Sequence, residues 1–346
     1  MKYRNLGNSG TIVSEFALGT MTFGPEASEQ VSHEILDAYV AAGGNFVDTA
    51  DVYGNPGGDS EEIVGRWIAA HPAEAAQVVL TTKGRFPMGA GPNDLGLSRR
   101  HLGRALDDSL ARLGVEQIDL YQMHAWDAST PIAETLRFLD DAISAGKIGH
   151  YGFSNFLGWQ LTKAVHVAAA HGFAPPVTLQ PQYSLLVRDI EHEIVPAALD
   201  VSVGLLPWSP LGGGWLSGKY QRDTLPTGAT RLGENPNRGM EAWPDRNSDP
   251  RTWAVIEAVA AVAATHGASS AQVALAWLGA QPGVTSVILG ARTLAQLTDN
   301  LGAAGLELTA AELEALTEIS SPRVAEYPYG AQGIAQRHRA LGGGRA

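Results

Sequence analysis

Cysteine is missing from all 346 residues. Disulfide frameworks, thiolate nucleophiles and sulfur-built zinc sites are excluded with it. Basic charge is scarce as well: 24 Lys and Arg stand against 36 Asp and Glu, a formal net charge of −12. Such a surface lacks the positive face that binds phosphate backbones, so no nucleic-acid partner is expected. Long hydrophobic runs are also lacking. The most apolar helix-like stretch, Trp253–Ala264, is too short to span a bilayer and carries Glu257. The opening MKYRNLGNSG has no apolar segment of the secretory kind. These absences lead to the expectation of a cytoplasmic protein without a membrane partner. Finally, no GxGxxG follows the first apolar run, which removes the main sequence support for a Rossmann dehydrogenase.

What is present is an alternation. A short hairpin is expected first, with Tyr3–Leu6 and Ile12–Ser14 around Gly7-Asn8-Ser9-Gly10. Eight apolar runs follow: Phe16–Leu18, Asn45–Asp48, Val78–Lys83, Asp119–His124, Gly149–Ser154, Val177–Gln180, Val203–Trp208 and Ser286–Leu289. Between and after them, apolar residues recur at three-to-four spacing in Gln30–Ala42, Ser60–Ala70, Ser98–Leu113, Ile132–Ala145, Leu157–His171, Ile190–Asp200, Thr252–His266 and Leu294–Ala303. Eight strand-then-helix units predict an α/β fold, a single (β/α)8 TIM barrel with an N-terminal hairpin. The barrel is expected to occupy 1–333 as one domain, with 334–346 a flexible tail. Two stretches break the rhythm. Gly84–Leu97 and Gln221–Pro250 are long loops on the face where barrel strands end, and the second is read either as a lid or as a disordered insertion.

The polar residues fall where barrel strands end. Asp48, Lys83 and His124 close the second, third and fourth runs, and Tyr53 lies just beyond the second. In a barrel these positions converge on one mouth. Each has an ordinary use alone: Asp48 as a turn residue, Tyr53 as packing, Lys83 as a solvated end, His124 as a core histidine. Together they can do acid–base chemistry. A phenol is a poor acid near neutrality unless a cation stabilises its phenolate, and Lys83 supplies one. Asp48 compensates the buried ammonium, and His124 can donate a hydrogen bond to a carbonyl oxygen.

Two motifs are decoys. Gly213–Lys219 fits GxxxxGK, but Tyr220 follows where a phosphate-binding loop needs Ser or Thr for magnesium. His33, His71, His101, His150, His166, His171, His192, His266 and His338 show no ligand spacing, and no metal site is expected.

Three segments then give the sequence a relative. GGNFVDTADVYG (Gly43–Gly54), VVLTTKG (Val78–Gly84) and DLYQMHAWD (Asp119–Asp127) resemble, in order and spacing, the signatures of the aldo-keto reductase family. The likeness runs on through GFSNF, LQPQYSLL, PWSPLGGGWLSGKY and ILGARTLAQLTDNLGA, and looks closest to the bacterial and potassium-channel β-subunit-like branch. It implies Tyr53 as general acid, tuned by Lys83 and Asp48, with His124 completing the set. It implies that Ser154, Asn155 and Gln180 hold a nicotinamide carboxamide and that Trp208 packs on the ring. Ser209, Leu211 and Gly213, with Lys219, fall at its pyrophosphate loop. Arg292, Gln296 and Asn300 fall four apart at its adenosine end, and Arg292 suits a 2′-phosphate, so NADP(H) is expected over NAD(H). Gly290-Ala291 departs from the Lys-Ser pair common there. The expected activity is NADPH-dependent reduction of an aldehyde, ketone or keto-sugar, with an NADPH-sensing binding module as the alternative. Phe23, Phe86 and Trp126, joined by Trp215, are candidates for an apolar substrate rim, with ordinary packing as their other use. Homo-oligomers occur in the channel-like branch and stay open for this chain.

Overall fold

The computed structural model describes residues 1–55, 57–322 and 326–330. The expected tail, 334–346, and His338 lie outside the described residues. The hairpin forms as expected, β1 (Tyr3–Asn5) against β2 (Ile12–Ser14), antiparallel with Arg4 opposite Val13. Eight parallel strands follow: β3 (Phe16–Gly19), β4 (Phe46–Asp48), β5 (Val79–Gly84), β6 (Ile118–Met123), β7 (Ile148–Ser154), β8 (Thr178–Gln180), β9 (Gly204–Leu205) and β10 (Val287–Gly290). Their order, β10-β3-β4-β5-β6-β7-β8-β9, is chain order apart from β10. The ring closes between its ends: the Leu205 N–H donates to the Gly283 carbonyl at 2.8 Å, Thr285 donates to Leu205 at 2.8 Å, and Ile288 donates to Pro207 at 3.0 Å. This is a (β/α)8 barrel. The run Val203–Trp208 keeps its bonds to the β8 side beyond the two residues of β9, with the Leu206 N–H donating to Leu179 at 2.9 Å and the Trp208 N–H to Pro181 at 3.0 Å.

Helices wrap the outside where the apolar spacing placed them. Arg99–Leu113 turns Leu102, Leu106 and Leu113 inward, is capped by the Ser98 hydroxyl accepting from the His101 N–H, and ends at Gly114 in the left-handed region. Helix Asp59–Ala70 packs tightly on it. A Cβ at Gly65 would lie 2.3 Å from the Arg112 carbonyl oxygen, so only glycine permits this approach. The expected helix Ile190–Asp200 is instead a 3₁₀ turn, Asp189–His192, followed by Ile194–Asp200. Ser270–Gly279 and Ala310–Ile319 are helices that the periodicity did not single out. Among the described residues no single helix is long and apolar enough to cross a membrane.

The barrel interior is layered. Leu6 and Val13 of the hairpin cluster with Ala17, Phe46, Leu120, Val177, Leu206 and Ile288, an apolar plug at the end where strands begin. Gly7, at φ +56°, lets the hairpin turn press on that end: a Cβ there would sit 1.8 Å from the Val177 carbonyl oxygen. Strand side chains alternate with period two, so Phe46 pointing inward puts Asp48 inward one layer higher, and Leu120 does the same for Gln122. The upper layer is therefore polar. Above it, the long connection 221–250 folds into the short helices Arg231–Glu234 and Trp243–Ser248. It is anchored by buried Trp243, stacked on Trp215 with ring centroids 4.9 Å apart, so this part is packed and not a disordered insertion.

Candidate active site

The polar layer is built around one buried ion pair. Lys83, fully buried near the end of β5, donates from Nζ to Asp48 Oδ2 at 2.6 Å and to the Thr49 carbonyl at 2.8 Å. The other Asp48 oxygen accepts from Gln180 Nε2 at 2.9 Å and from Gln122 Nε2 at 3.4 Å. Neither charge is left without a partner, which is the condition for burying both. Burial works against the ammonium, but Asp48 and then Tyr53 outweigh it, so the Lys83 pKa lies above its ordinary value.

Lys83 also reaches outward, with Nζ 3.3 Å from Tyr53 Oη and 4.9 Å from its ring centre. Tyr53 stands edge-on to His124, centroids 5.8 Å apart, and Phe86 also packs on His124, at 4.6 Å. Burial raises the Tyr53 phenol above 10 even though Lys83 pulls it down, so Tyr53 is protonated near neutrality. Burial, then the charges of Lys83 and Arg85, hold His124 well below 6.5, leaving a neutral imidazole. Its Nδ1 is buried with no hydrogen-bond partner. An orphaned donor is costlier than an orphaned lone pair, which places the proton on Nε2.

A second polar cluster, unmarked by the sequence reasoning, lies close to Lys83. Glu61 is fully buried, accepting from Arg112 Nε at 2.6 Å and from the Thr82 hydroxyl at 2.5 Å. Neither oxygen of buried Asp51 meets a hydrogen-bond partner among the described residues, and the Tyr121 hydroxyl is in the same position. Burial, reinforced by Glu61, raises the Asp51 carboxyl to about 8. No spacing rule identifies Asp51; its position two residues before Tyr53 was the available signal.

The remaining expected residues line the same end of the barrel. Ser154 ends β7 and donates to the Gln180 carbonyl at 2.9 Å. Asn155, in the left-handed region at φ 56°, donates to the His124 carbonyl at 2.9 Å and accepts from Trp208 Nε1 at 3.1 Å. Ser209 is also left-handed, at φ 55°, and Leu211 leads into a turn where Gly212, Gly213 and Gly214 all have positive φ. A Cβ on Gly214 would meet Lys219 Nζ at 2.5 Å, so the ammonium stands directly over the glycine turn. Burial and then Arg292 and Arg231 lower the Lys219 pKa, which marks a convergence of cations. This left-handed glycine turn under clustered cations is a cradle suited to phosphates, and the pyrophosphate of a dinucleotide fits the residues present.

Four expectations need amendment. Arg292 precedes helix Leu294–Leu301 and does not lie on its face; it pairs with Glu26 at 2.7 Å and with Glu234 at 2.6 Å, and its N–H donates to Gln296 Oε1 at 2.9 Å. Asn300 is buried and turned inward, donating to the Gly290 carbonyl at 3.3 Å. Phe23 is fully buried in the core, and Trp215 is buried among the rings of Tyr220, Trp243 and Trp253. Phe86 and Trp126 are half-buried in the loops after β5 and β6, and Trp126 packs on Phe156 and on exposed Trp159. Glu26 was also missed. It joins Arg292 and Arg238, the latter at 2.5 Å, across two loops.

A Tyr–Lys–Asp–His set at the mouth of a closed barrel narrows the field, and comparison with known proteins decides it. Residues 15–321 match the model of the Aldo/keto reductase family. The chain belongs to the aldo/keto reductase family. It is 37% identical to the uncharacterized oxidoreductase YrpG of Bacillus subtilis, over 92% of this chain and 96% of that protein. It is 36% identical to a probable voltage-gated potassium channel subunit beta of Oryza sativa, over 88% and 91%. It is 32% identical to versiconal hemiacetal acetate reductase of Aspergillus parasiticus, over 93% and 98%. This aldo/keto reductase is thus an oxidoreductase by family, and a small-molecule substrate fits that family.

Proposed function

We propose that this aldo/keto reductase reduces an aldehyde or ketone to an alcohol with NADPH, using Tyr53 as the proton donor. The observation that carries the reading is Lys83 Nζ lying within reach of both Asp48 and Tyr53 Oη at a buried site. NADPH, when bound, supplies the hydride. Tyr53 holds its proton at neutral pH and delivers it to the carbonyl oxygen as negative charge develops there. Lys83 then faces a phenolate, a charge its ammonium stabilises at 3.3 Å. Asp48 fixes Lys83, and Gln180 and Gln122 fix Asp48. Neutral His124 donates from Nε2 and orients the carbonyl. In this reading Ser154, Asn155 and Trp208 hold the nicotinamide, the glycine turn and Lys219 the pyrophosphate, and Arg292 a 2′-phosphate.

The same reading takes 1–333 as one catalytic domain acting in the cytoplasm, alone or as a homo-oligomer. The relationship to a protein named as a channel subunit favours a second reading, a binding module that senses NADPH with little turnover. Stopped-flow and steady-state NADPH absorbance over a panel of reactive aldehydes, with NADH in parallel, separates the two. Sustained NADPH oxidation supports the reductase, and binding without turnover supports the module.

A further inference from the structure

We propose that Arg85 recognises an acidic substituent on the substrate, so that the preferred carbonyl compounds carry a carboxylate or phosphate; this rests on the carbonyl-reducing reading of the mouth. Arg85 is the first residue after β5, two beyond Lys83. Its guanidinium lies over the Phe86 ring at 5.0 Å, and the Phe86 ring packs on His124 at 4.6 Å. The cation is therefore separated from the imidazole by one aromatic ring. Its backbone sits at φ 145°, where a residue with a side chain is strained, and the conformation is held by the Gly96 N–H donating to the Arg85 carbonyl at 2.8 Å. Strain retained beside a reactive centre is typical of positions kept for function rather than for folding.

The partners of Arg85 are incomplete. Its Nε is buried with none, and Nη2 makes one long bond, 3.4 Å, to the Trp126 carbonyl. Among the described residues it forms no ion pair, and the Trp126 carbonyl is its hydrogen-bond acceptor. Asp127, the acid of the neighbouring loop, is already engaged by the Leu97 N–H, the Ser129 N–H and the Thr130 hydroxyl. Arg188 shows what a structural arginine looks like in this same protein. Its Nε and Nη2 both donate to Glu191 at 2.7 Å, while Nη1 donates to the Thr317 carbonyl and the Ser320 hydroxyl. Arg85 has the donors and lacks the acceptors.

Charge balance at the mouth points the same way. Lys83 and Asp48 cancel, and His124 is neutral. The charge of Asp127 acts on Arg85 through space but takes none of its donors, so the Arg85 donors stay open to an anion in a protein whose formal charge is −12. A planar guanidinium with free in-plane donors takes a carboxylate or phosphate in two parallel bonds. The substituent is unchanged by the reaction: the carbonyl carbon gains the hydride, the oxygen gains the Tyr53 proton, and the acid group only anchors the molecule.

The test uses 4-carboxybenzaldehyde and its uncharged methyl ester, which share a ring and an aldehyde. Calorimetric titration of each into the NADP⁺-loaded protein reads binding without turnover. The acid is expected to bind about tenfold or more tightly than the ester, the scale of one charge-assisted hydrogen bond. Raising ionic strength should narrow that preference in the wild type, which needs no variant. Arg85→Gln should abolish the preference, and Arg85→Lys should keep part of it. Equal binding of acid and ester by the wild type, or a preference that survives Arg85→Gln in a folded protein, overturns the assignment. If the Arg85-dependent preference holds while no member of the pair is reduced by NADPH, the reductase reading falls and the Arg85 site stands.

Discussion

The Gln180 side chain donates to Asp48 Oδ1 at 2.9 Å, bridging residues 132 apart in sequence and occupying the oxygen that Lys83 leaves free. Resemblance alone placed Gln180 at the nicotinamide. Its amide nitrogen braces the carboxylate that fixes the lysine, so the end of β8 is tied directly to the acid–base set.

Tyr53→Phe removes the proton and keeps the ring. Turnover of a reactive aldehyde should fall roughly 10²–10⁴-fold, the usual scale of general acid catalysis. NADPH affinity, read by fluorescence titration, should hold within about twofold. A variant that turns over at the wild-type rate would remove Tyr53 from the mechanism.

Lys83→Met strands the Asp48 charge in the barrel. Loss of one partner of a buried pair typically costs about 3–5 kcal/mol. Urea denaturation should show that loss, and adding Asp48→Asn should restore much of it. A double variant no more stable than Lys83→Met would show that Asp48 is not stranded by the loss of its partner.

How much of this could be read beforehand depends on the kind of signal. The hairpin, all eight barrel strands and the inward set of Asp48, Lys83 and His124 were legible, because strand ends in a closed barrel converge by geometry. Helix Ser270–Gly279 was not, since SAQVALAWLG is apolar almost throughout and offers no amphipathic stripe; its signal was the reciprocal cap between Ser269 and Gln272. Ala310–Ile319 carried the same kind of cap in Thr309 and Glu312. Glu26 was invisible because its partners, Arg238 and Arg292, lie far along the chain; the burial of Asp51 without a hydrogen-bond partner and the inward turn of Asn300 follow from tertiary packing that no local pattern records. Phe23 was misplaced because a rim and a core use the same aromatic side chain.

Asp51 gives the protein a pH signature. Its pKa rises from 3.8 to about 8 on folding, so between those values the native state binds more protons than the unfolded chain. Stability contributed by this group is therefore full at low pH and declines as pH rises through 4 to 8, by up to about 1.4 kcal/mol per unit. Melting temperature against pH should show this decline, and Asp51→Asn should flatten it. Parallel curves for the two proteins would contradict the assignment.

Arg292→Ala tests the adenosine end. NADPH affinity should weaken about tenfold or more while NADH affinity stays close to wild type, because the 2′-phosphate is the group that distinguishes them. Titration of both cofactors checks this directly. Equal loss for both would point to a structural role through Glu26 and Glu234.

The pressed contact between Gly7 and Val177 commits one end of the cylinder to closure. Changes on that side, such as Gly7→Val, register as lost folding, whereas changes in the loops beyond Lys83 and His124 register as altered chemistry. The two demands are met by separate residues. New specificities can therefore be explored at the open rim while the stopper beneath stays the same.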